Sequence, residues 1–471
     1  MGKWLIALIL LTAPAAAADL AEVGPQAEAG AIIAAHGAEQ GVGLHLQFEV
    51  SGGAHRSPSF LGVDLAAGYM RVRDEASDAL YDYKLRRILW LDSTKRNFGN
   101  TSLYALADFR LAETAARQHE RALLAAANIK QNLELLDPYW MQAELHVAEE
   151  AAPAIARSDE GGTAHFSYNG AEIASYALSA ESLSAEERAL FAHLLQERTT
   201  LHPSTIAALL AEGKLPQRLS FALPPSRKQE AEIWVLRAVS RAGAQYPLEP
   251  GFVTAPPVPL PRNATGSLAL LSRLVPVMED AVKGRAGHGP RSPADYRAGL
   301  NAAAGKGQWF AALLIALEAQ EQYGELPPCA SGETPCPTLS DIVGAGDARV
   351  AALTKALDTK DQAEAAKLLQ AIDRAGVDDA YVLDGFIGNA LAASGDVAAA
   401  LPLLIAEVRG NPYVAGYYKD LGDLFRQGFA PDQAWLCYDL GRALPGGAGA
   451  PVIGTMNDYE ARLAARAPQF F

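Results

Sequence analysis

The chain has 471 residues, 40 of them basic and 54 acidic, for a formal net charge of −14, and half of its residues are hydrophobic. That length exceeds what one hydrophobic core usually serves, so two or more domains are expected, and the apolar content excludes a disordered chain. The acidic balance, without clustered Lys and Arg to release counterions, argues against nucleic acid or an anionic membrane surface as partner.

The N-terminus reads as an export signal over residues 1–18. Lys3 supplies the positive end, Trp4 to Leu11 the apolar run, and Ala16 and Ala18 the small residues before a cut at Asp19. So short an apolar run does not span a bilayer. The next candidate, Leu268 to Val282, is broken by Arg273, Pro276, Glu279 and Asp280. The mature chain is therefore expected in the periplasm or secreted, with no integral membrane segment after cleavage. Asn100 and Asn263 open formal glycosylation sequons, which matter only in a eukaryotic host. In an oxidising compartment Cys329 and Cys336, in a loop with Pro327, Pro328, Pro335 and Pro337, read as a disulfide. Closing so short a loop contributes about 2.5 kcal/mol on the chain-entropy scale. A metal site there lacks further ligands at usable spacing. Cys437 falls in an amphipathic helix and reads as a buried thiol.

Residues 21–40 read as a small-residue helix. Leu44, Leu46, Phe48 and Val50 then alternate with His45, Gln47 and Glu49, the period of a half-buried strand. Residues 69–73 repeat the alternation, and residues 80–83 and 87–92 suit a hairpin around Lys84-Leu85-Arg86. A long helix is predicted from about Ser102 to Ile129, with Leu103, Leu106, Phe109, Leu111, Leu123 and Leu124 as its core side. Further strands are predicted near 141–147, 164–168, 173–178, 218–223 and 232–239, and helices near 185–197 and 204–212. Strands with short connections favour antiparallel neighbours. The segment 19–247 is thus predicted to be an α+β domain, a curved antiparallel sheet with covering helices on one face.

Three stretches carry a resemblance: Met70-Arg71-Val72-Arg73, Ala79-Leu80-Tyr81-Asp82-Tyr83 and Arg86-Arg87-Ile88-Leu89-Trp90-Leu91-Asp92. This series is similar to the periplasmic lipoprotein-carrier domains, which are half-barrels. The resemblance implies a concave sheet that shelters an apolar ligand, a lipid or lipoprotein, under a helical lid.

Residues 248–266 form a proline-rich spacer, with Pro250, Pro256, Pro257, Pro259 and Pro261. Closely spaced prolines cannot donate to a sheet and favour a semi-rigid extended chain. Beyond it, from 267 to 471, the strand signal vanishes and helical segments follow one another. Two windows align at a period of 34: the first contains Gly388, Leu391, Gly395, Ala400, Leu404 and Pro412 in order, the second Tyr418, Leu421, Gly422, Phe425, Ala434 and Tyr438, with Pro445 near its end. Gly388 and Gly422 are 34 residues apart, as are Ala400 and Ala434. The pattern resembles the tetratricopeptide repeat. Small residues at Gly388 with Ala400, and at Gly422 with Ala434, would let two helices cross closely. Leu353, Leu357, Ala365 and Leu369 continue the pattern upstream, Asp361 matching Asp396. Gly299, Trp309, Ala312 and Ala316 suggest a further unit, and residues 457–467 a cap.

Catalytic signatures are missing. The chain contains no His-Glu-x-x-His, Gly-x-Ser-x-Gly or Cys-x-x-Cys, and Gly299 to Lys306 misses the phosphate-loop spacing and its Ser or Thr. Glu149-Glu150 and Asp378-Asp379 are adjacent pairs whose side chains point apart. No cofactor, metal or catalytic residue is assigned. In tetratricopeptide repeats the first helix of each unit lines the concave face. The resemblance therefore implies that Asn389, Lys419, Asp423 and Arg426 face a groove that takes a protein or peptide. The same charges can also pair locally along their helix, Lys419 with Asp423 and Asp423 with Arg426. The expected function is that of an exported, non-enzymatic adaptor; carriage of an apolar ligand by the sheet domain is the alternative, and a hydrolase with an unrecognised site a third.

Overall fold

The computed structural model describes residues 27–36, 41–55, 57–129, 134–147, 153–255, 267–287, 289–329, 332, 334–446 and 449–471. The leader expected at 1–18, the four prolines from 256 to 261, the Asn263 sequon and Glu149-Glu150 lie outside the described residues.

Twelve described strands make one open, curved sheet. They are β1 (Gly41–Gly53), β2 (Ser59–Ala66), β3 (Tyr69–Arg73), β4 (Asp78–Asp82), β5 (Arg87–Asp92), β6 (Asn97–Ser102), β7 (Ala156–Glu160), β8 (Thr163–Tyr168), β9 (Ala171–Ser182), β10 (Lys214–Phe221), β11 (Glu230–Ala244) and β12 (Val253–Thr254). Their order across the sheet is β12-β6-β5-β4-β3-β2-β1-β11-β10-β9-β8-β7. Every neighbouring pair is antiparallel except the short β12, which runs parallel to β6. β1 lies mid-sheet between β2 and β11. Its Leu44, Leu46, Phe48 and Val50 are buried while Gln47 is exposed, as the alternation requires. β7 is exposed along its whole length, and its Arg157, Asp159 and Glu160 discourage pairing at that edge.

Helices cover both faces. α1 (Ala29–His36) places Ile32 against Tyr69, Leu80, Leu89 and Phe98 on one face. On the other, α3 (Pro138–Leu145), α4 (Ala185–Arg198) and α5 (Pro203–Ala211) bring Tyr139, Phe191, Leu194 and Leu209 against the inward residues of β1, β10 and β11. The helices are thus not confined to one face. The strand predicted at 141–147 is α3 instead. Asp137 caps it by accepting from the N–H groups of Tyr139 and Trp140, and Pro138 occupies the first turn. β2, β6, β7 and β12 have no counterpart among the predicted strands, and β12 shows that the expected spacer 248–266 pairs with the sheet at Val253 and Thr254, ahead of its clustered prolines.

The long helix α2 (Leu103–Ala126) has a different inner side from the one predicted. Leu103 is buried, but Phe109 and Leu123 are exposed, and Asp108, Arg110 and Thr114 are buried. Its polar side is explained by its position between the sheet and the helical region.

That region comprises α6 (Ser267–Val282), α7 (Pro293–Gly305), α8 (Trp309–Tyr323), α9 (Leu339–Gly344), α10 (Ala348–Asp358), α11 (Gln362–Gln370), α12 (Ala380–Ala393), α13 (Val397–Gly410), α14 (Ala415–Gln427), α15 (Pro431–Arg442) and α16 (Pro451–Arg466). α11, α13 and α15 begin at 362, 397 and 431, so they are 35 and 34 residues apart. Each follows its preceding helix after a three-residue turn. Asp361 and Asp396 match because each caps the helix after it, accepting from Ala363 and Glu364, and from Ala399. α7 and α8 also form a hairpin, yet α8 does not extend the row. It lies against α10, α12, α14 and α16, the first helices of the array and the terminal helix. α6 covers α13 and α15 on the other side. Among the described residues no helix is long and apolar enough to cross a membrane. Cys329 and Cys336 form a disulfide with Cα atoms 6.2 Å apart, and Cys437 is a buried free thiol.

The two regions are joined by buried polar contacts. Asp108 of α2 accepts from Arg426 Nε at 2.7 Å, Arg426 Nη2 at 2.9 Å and Trp435 Nε1 at 3.2 Å. The Tyr104 ring stacks on Trp435 with centroids 5.1 Å apart, and Phe471 closes over Tyr104 at 4.9 Å. Arg87 of β5 pairs with Asp439 of α15.

Candidate functional site

The candidate site lies on the face made by α10, α12 and α14, beside α8. Close helix crossing is the first condition for it. A Cβ on Gly388 would lie 2.7 Å from Leu404 Cδ2 and 3.4 Å from the Ala400 carbonyl oxygen. One on Gly422 would lie 2.4 Å from the Tyr438 ring and 3.1 Å from the Ala434 carbonyl oxygen. Ala400 and Ala434 are fully buried. All four residues chosen for helix packing therefore stand where adjacent helices meet.

The polar candidates divide. Asn389 of α12 donates to Asp420 of α14. Lys419 Nζ reaches Asp423 at 2.6 Å and Asp420 at 3.4 Å. Asp423 also accepts from Tyr438 Oη at 2.6 Å. Asn389, Lys419 and Asp423 thus belong to one hydrogen-bonded strip across α12 and α14. Arg426 is held elsewhere, against Asp108 of the sheet domain. The local pairing weighed from the sequence forms for Lys419 with Asp423, whereas the partner of Arg426 is Asp108.

Next to the strip is a cavity of about 110 Å³ between α8, α12, α13 and α14. Asn389 lines it with Glu318 and Glu321 of α8, Glu407 of α13, and Tyr417 and Asp420 of α14. Two helical glycines seat acids there. A Cβ on Gly385 would lie 1.7 Å from Glu407 Oε1, and one on Gly416 would lie 1.9 Å from Glu321 Oε1. Glu318 is paired with Arg291 at 2.9 Å and accepts from Tyr381 and Asn411. Burial raises its carboxyl above the ordinary range, opposed by Arg291. Burial also pushes Glu407 well up, reinforced by Asp420, Glu321, Glu318 and Asp384. Neither Glu407 Oε2 nor Tyr417 Oη has a hydrogen-bond partner among the described residues.

Glu318, Glu321, Glu407 and Asp420 belong to no motif that marks them as a site in the sequence. A usable signal existed in two places: Glu407 interrupts the apolar run Leu403-Leu404-Ile405-Ala406, and Gly385 is a helix-interior glycine, which costs about 1 kcal/mol unless something needs the space.

The sheet domain has a larger cavity of about 400 Å³, lined in part by Asp74, Arg110, Glu197, Arg198 and Trp234. Its guanidinium groups already have carboxylate partners: Arg110 with Glu197, Arg198 with Asp74, and Arg227 with Glu144. The sheet face that the half-barrel resemblance would give to an apolar ligand is packed by α3, α4 and α5. Among the described residues no group of three His, Cys, Asp or Glu side chains could hold a metal ion. The chain matches no family model, no curated protein and no solved structure, so the role of the site rests on its own residues.

Proposed function

We propose that the chain is an exported, non-enzymatic binding protein that holds a protein or peptide on the first-helix face of its tetratricopeptide-like array. The sheet domain fixes the orientation of that face. The observation that carries the reading is the strip Asn389–Asp420–Lys419–Asp423, continuous with a cavity that contains buried acceptors lacking donors. A partner that supplies those donors gains more than one that displaces water, because an unmet buried polar group costs about 1–3 kcal/mol. α8 already covers part of this face, so the partner meets the strip and the cavity rather than an empty groove. The period of the helices and the disulfide, which suits an oxidising compartment, support the same reading.

The double variant Asn389→Ala with Lys419→Ala tests it. Partner affinity, measured by calorimetry on a protein captured from the exported fraction, is expected to fall at least tenfold while the circular dichroism spectrum is kept. Unchanged affinity would remove this face from the function. Arg426 is left intact in this test because its loss would loosen the domain contact at Asp108.

A further inference from the structure

We propose that the cavity between α8, α12, α13 and α14 binds an aliphatic ammonium group, with Glu407 and Tyr417 accepting its N–H bonds. The inference rests on reading this face as a binding surface and names the chemistry that the surface selects.

Glu407 is 4% exposed and Tyr417 3% exposed, and the unpaired atoms are Glu407 Oε2 and Tyr417 Oη. A carboxylate oxygen only accepts, and a phenolic oxygen can accept, so both are suited to a group that only donates. An ammonium brings three donors and no acceptor. An anion would be repelled by the acids around Glu407, which outnumber the single free O–H of Tyr417.

Charge leads to the same class of ligand. α8 contributes Glu318 and Glu321, α12 contributes Asp384, α13 contributes Glu407, and α14 contributes Asp420 with Lys419. The cations nearby are already committed: Arg291 to Glu318 and Asp379, Lys419 to Asp420 and Asp423, and Arg374 to Asp384. Among the described residues no cation reaches Glu407. With no cation in reach, burial among these acids favours the neutral carboxyl of Glu407, and an incoming ammonium takes over the role of its proton. On binding, the carboxyl O–H of Glu407 breaks, its proton passes to the buffer, and the carboxylate accepts from the ammonium. Leu317, Val382 and Phe386 supply the apolar wall for the carbon chain behind the charge. At about 110 Å³ the cavity has room for a short alkylammonium or the end of a lysine side chain, several times the roughly 30 Å³ share of one water.

The test is calorimetry on the full chain at pH 7 with n-butylammonium chloride and, as a neutral counterpart, n-butanol. Saturable binding of n-butylammonium is expected, at least tenfold tighter than n-butanol, with a heat that varies with the buffer because a proton is released. Glu407→Gln is expected to abolish the proton release and weaken binding at least tenfold, and Asp420→Asn to weaken binding while leaving the release. Equal binding of n-butanol, or a Glu407→Gln variant that binds as the parent does, would overturn the proposal. So would the absence of n-butylammonium binding to the folded chain, which would leave Glu407 a neutral buried acid. A capped Gly-Lys-Gly peptide and its acetyl-lysine form separate the sources of the ammonium: tight binding of the first alone assigns a lysine side chain, and binding of n-butylammonium alone assigns a free amine. Loss of partner binding in Asn389→Ala with Lys419→Ala, without any amine binding, would keep the function and reject this inference. Amine binding by a chain whose partner affinity ignores that double variant would do the reverse.

Discussion

Asp439→Ala is expected to destabilise the full chain by about 3–5 kcal/mol, the usual cost of leaving one member of a buried ion pair without its partner. Arg87 and Asp439 are 5% and 7% exposed and come from opposite sides of the junction, β5 and α15. Arg87 Nε is also held by Asn100 at 2.7 Å, so the guanidinium is not free to swing into solvent when its carboxylate is removed. Asp439→Asn keeps an acceptor of the same shape and is expected to cost less. Replacing both partners with apolar residues, Arg87→Met with Asp439→Leu, should recover most of the loss, because the attraction in the pair largely offsets the desolvation of its charges. Urea unfolding of the three variants checks this order. A loss below about 1 kcal/mol for Asp439→Ala would show that the regions are not joined there.

Mild acid is expected to weaken the fold through His146 and His202. Burial, with the positive charge of Arg110 added, pushes the His146 imidazole down to about 3, and burial pushes His202 down to about 4. Each folded-state value lies below the ordinary value of about 6.5. Between the two values the unfolded chain binds a proton that the folded chain refuses. The stabilisation is therefore fully present above about pH 6.5 and is lost as pH falls toward 4 and then 3. Each group can contribute at most about 1.4 kcal/mol per pH unit within its window. His146 has φ 53°, in the left-handed region, where Asn is the best-tolerated replacement with a side chain. His146→Asn is expected to make the decline in stability between pH 6 and 4 shallower by about 1 kcal/mol per pH unit. Equal slopes for parent and variant in urea titrations would refute the assignment to His146.

Much of the architecture was legible because periodicity is a local property. The alternation of Leu44, Leu46, Phe48 and Val50 requires only one sheet face to be buried, and the match between Asp361 and Asp396 requires only a helix cap. The misreadings came from tertiary context. Residues 141–147 alternate as a strand would, but they are buried on nearly every side, so the cap at Asp137 and Pro138 determines their conformation. Phe109 and Leu123 looked like core, but α2 turns its polar side, with Asp108, into the junction. The candidate site was half legible. Asn389, Lys419 and Asp423 followed from the repeat register, whereas Glu318 and Glu407 come together only because α8 crosses the face of the array. No period in the sequence records that crossing.

The face of α12 and α14 beside α8 is the proposed docking surface for a partner. Photo-crosslinking with p-benzoylphenylalanine in place of Phe386, which lines the cavity, tests it most directly. The same substitution at Phe60, exposed on the sheet, serves as the control. A discrete adduct with an exported protein is expected at position 386 and none at position 60. An adduct at position 60 with none at position 386 would contradict it.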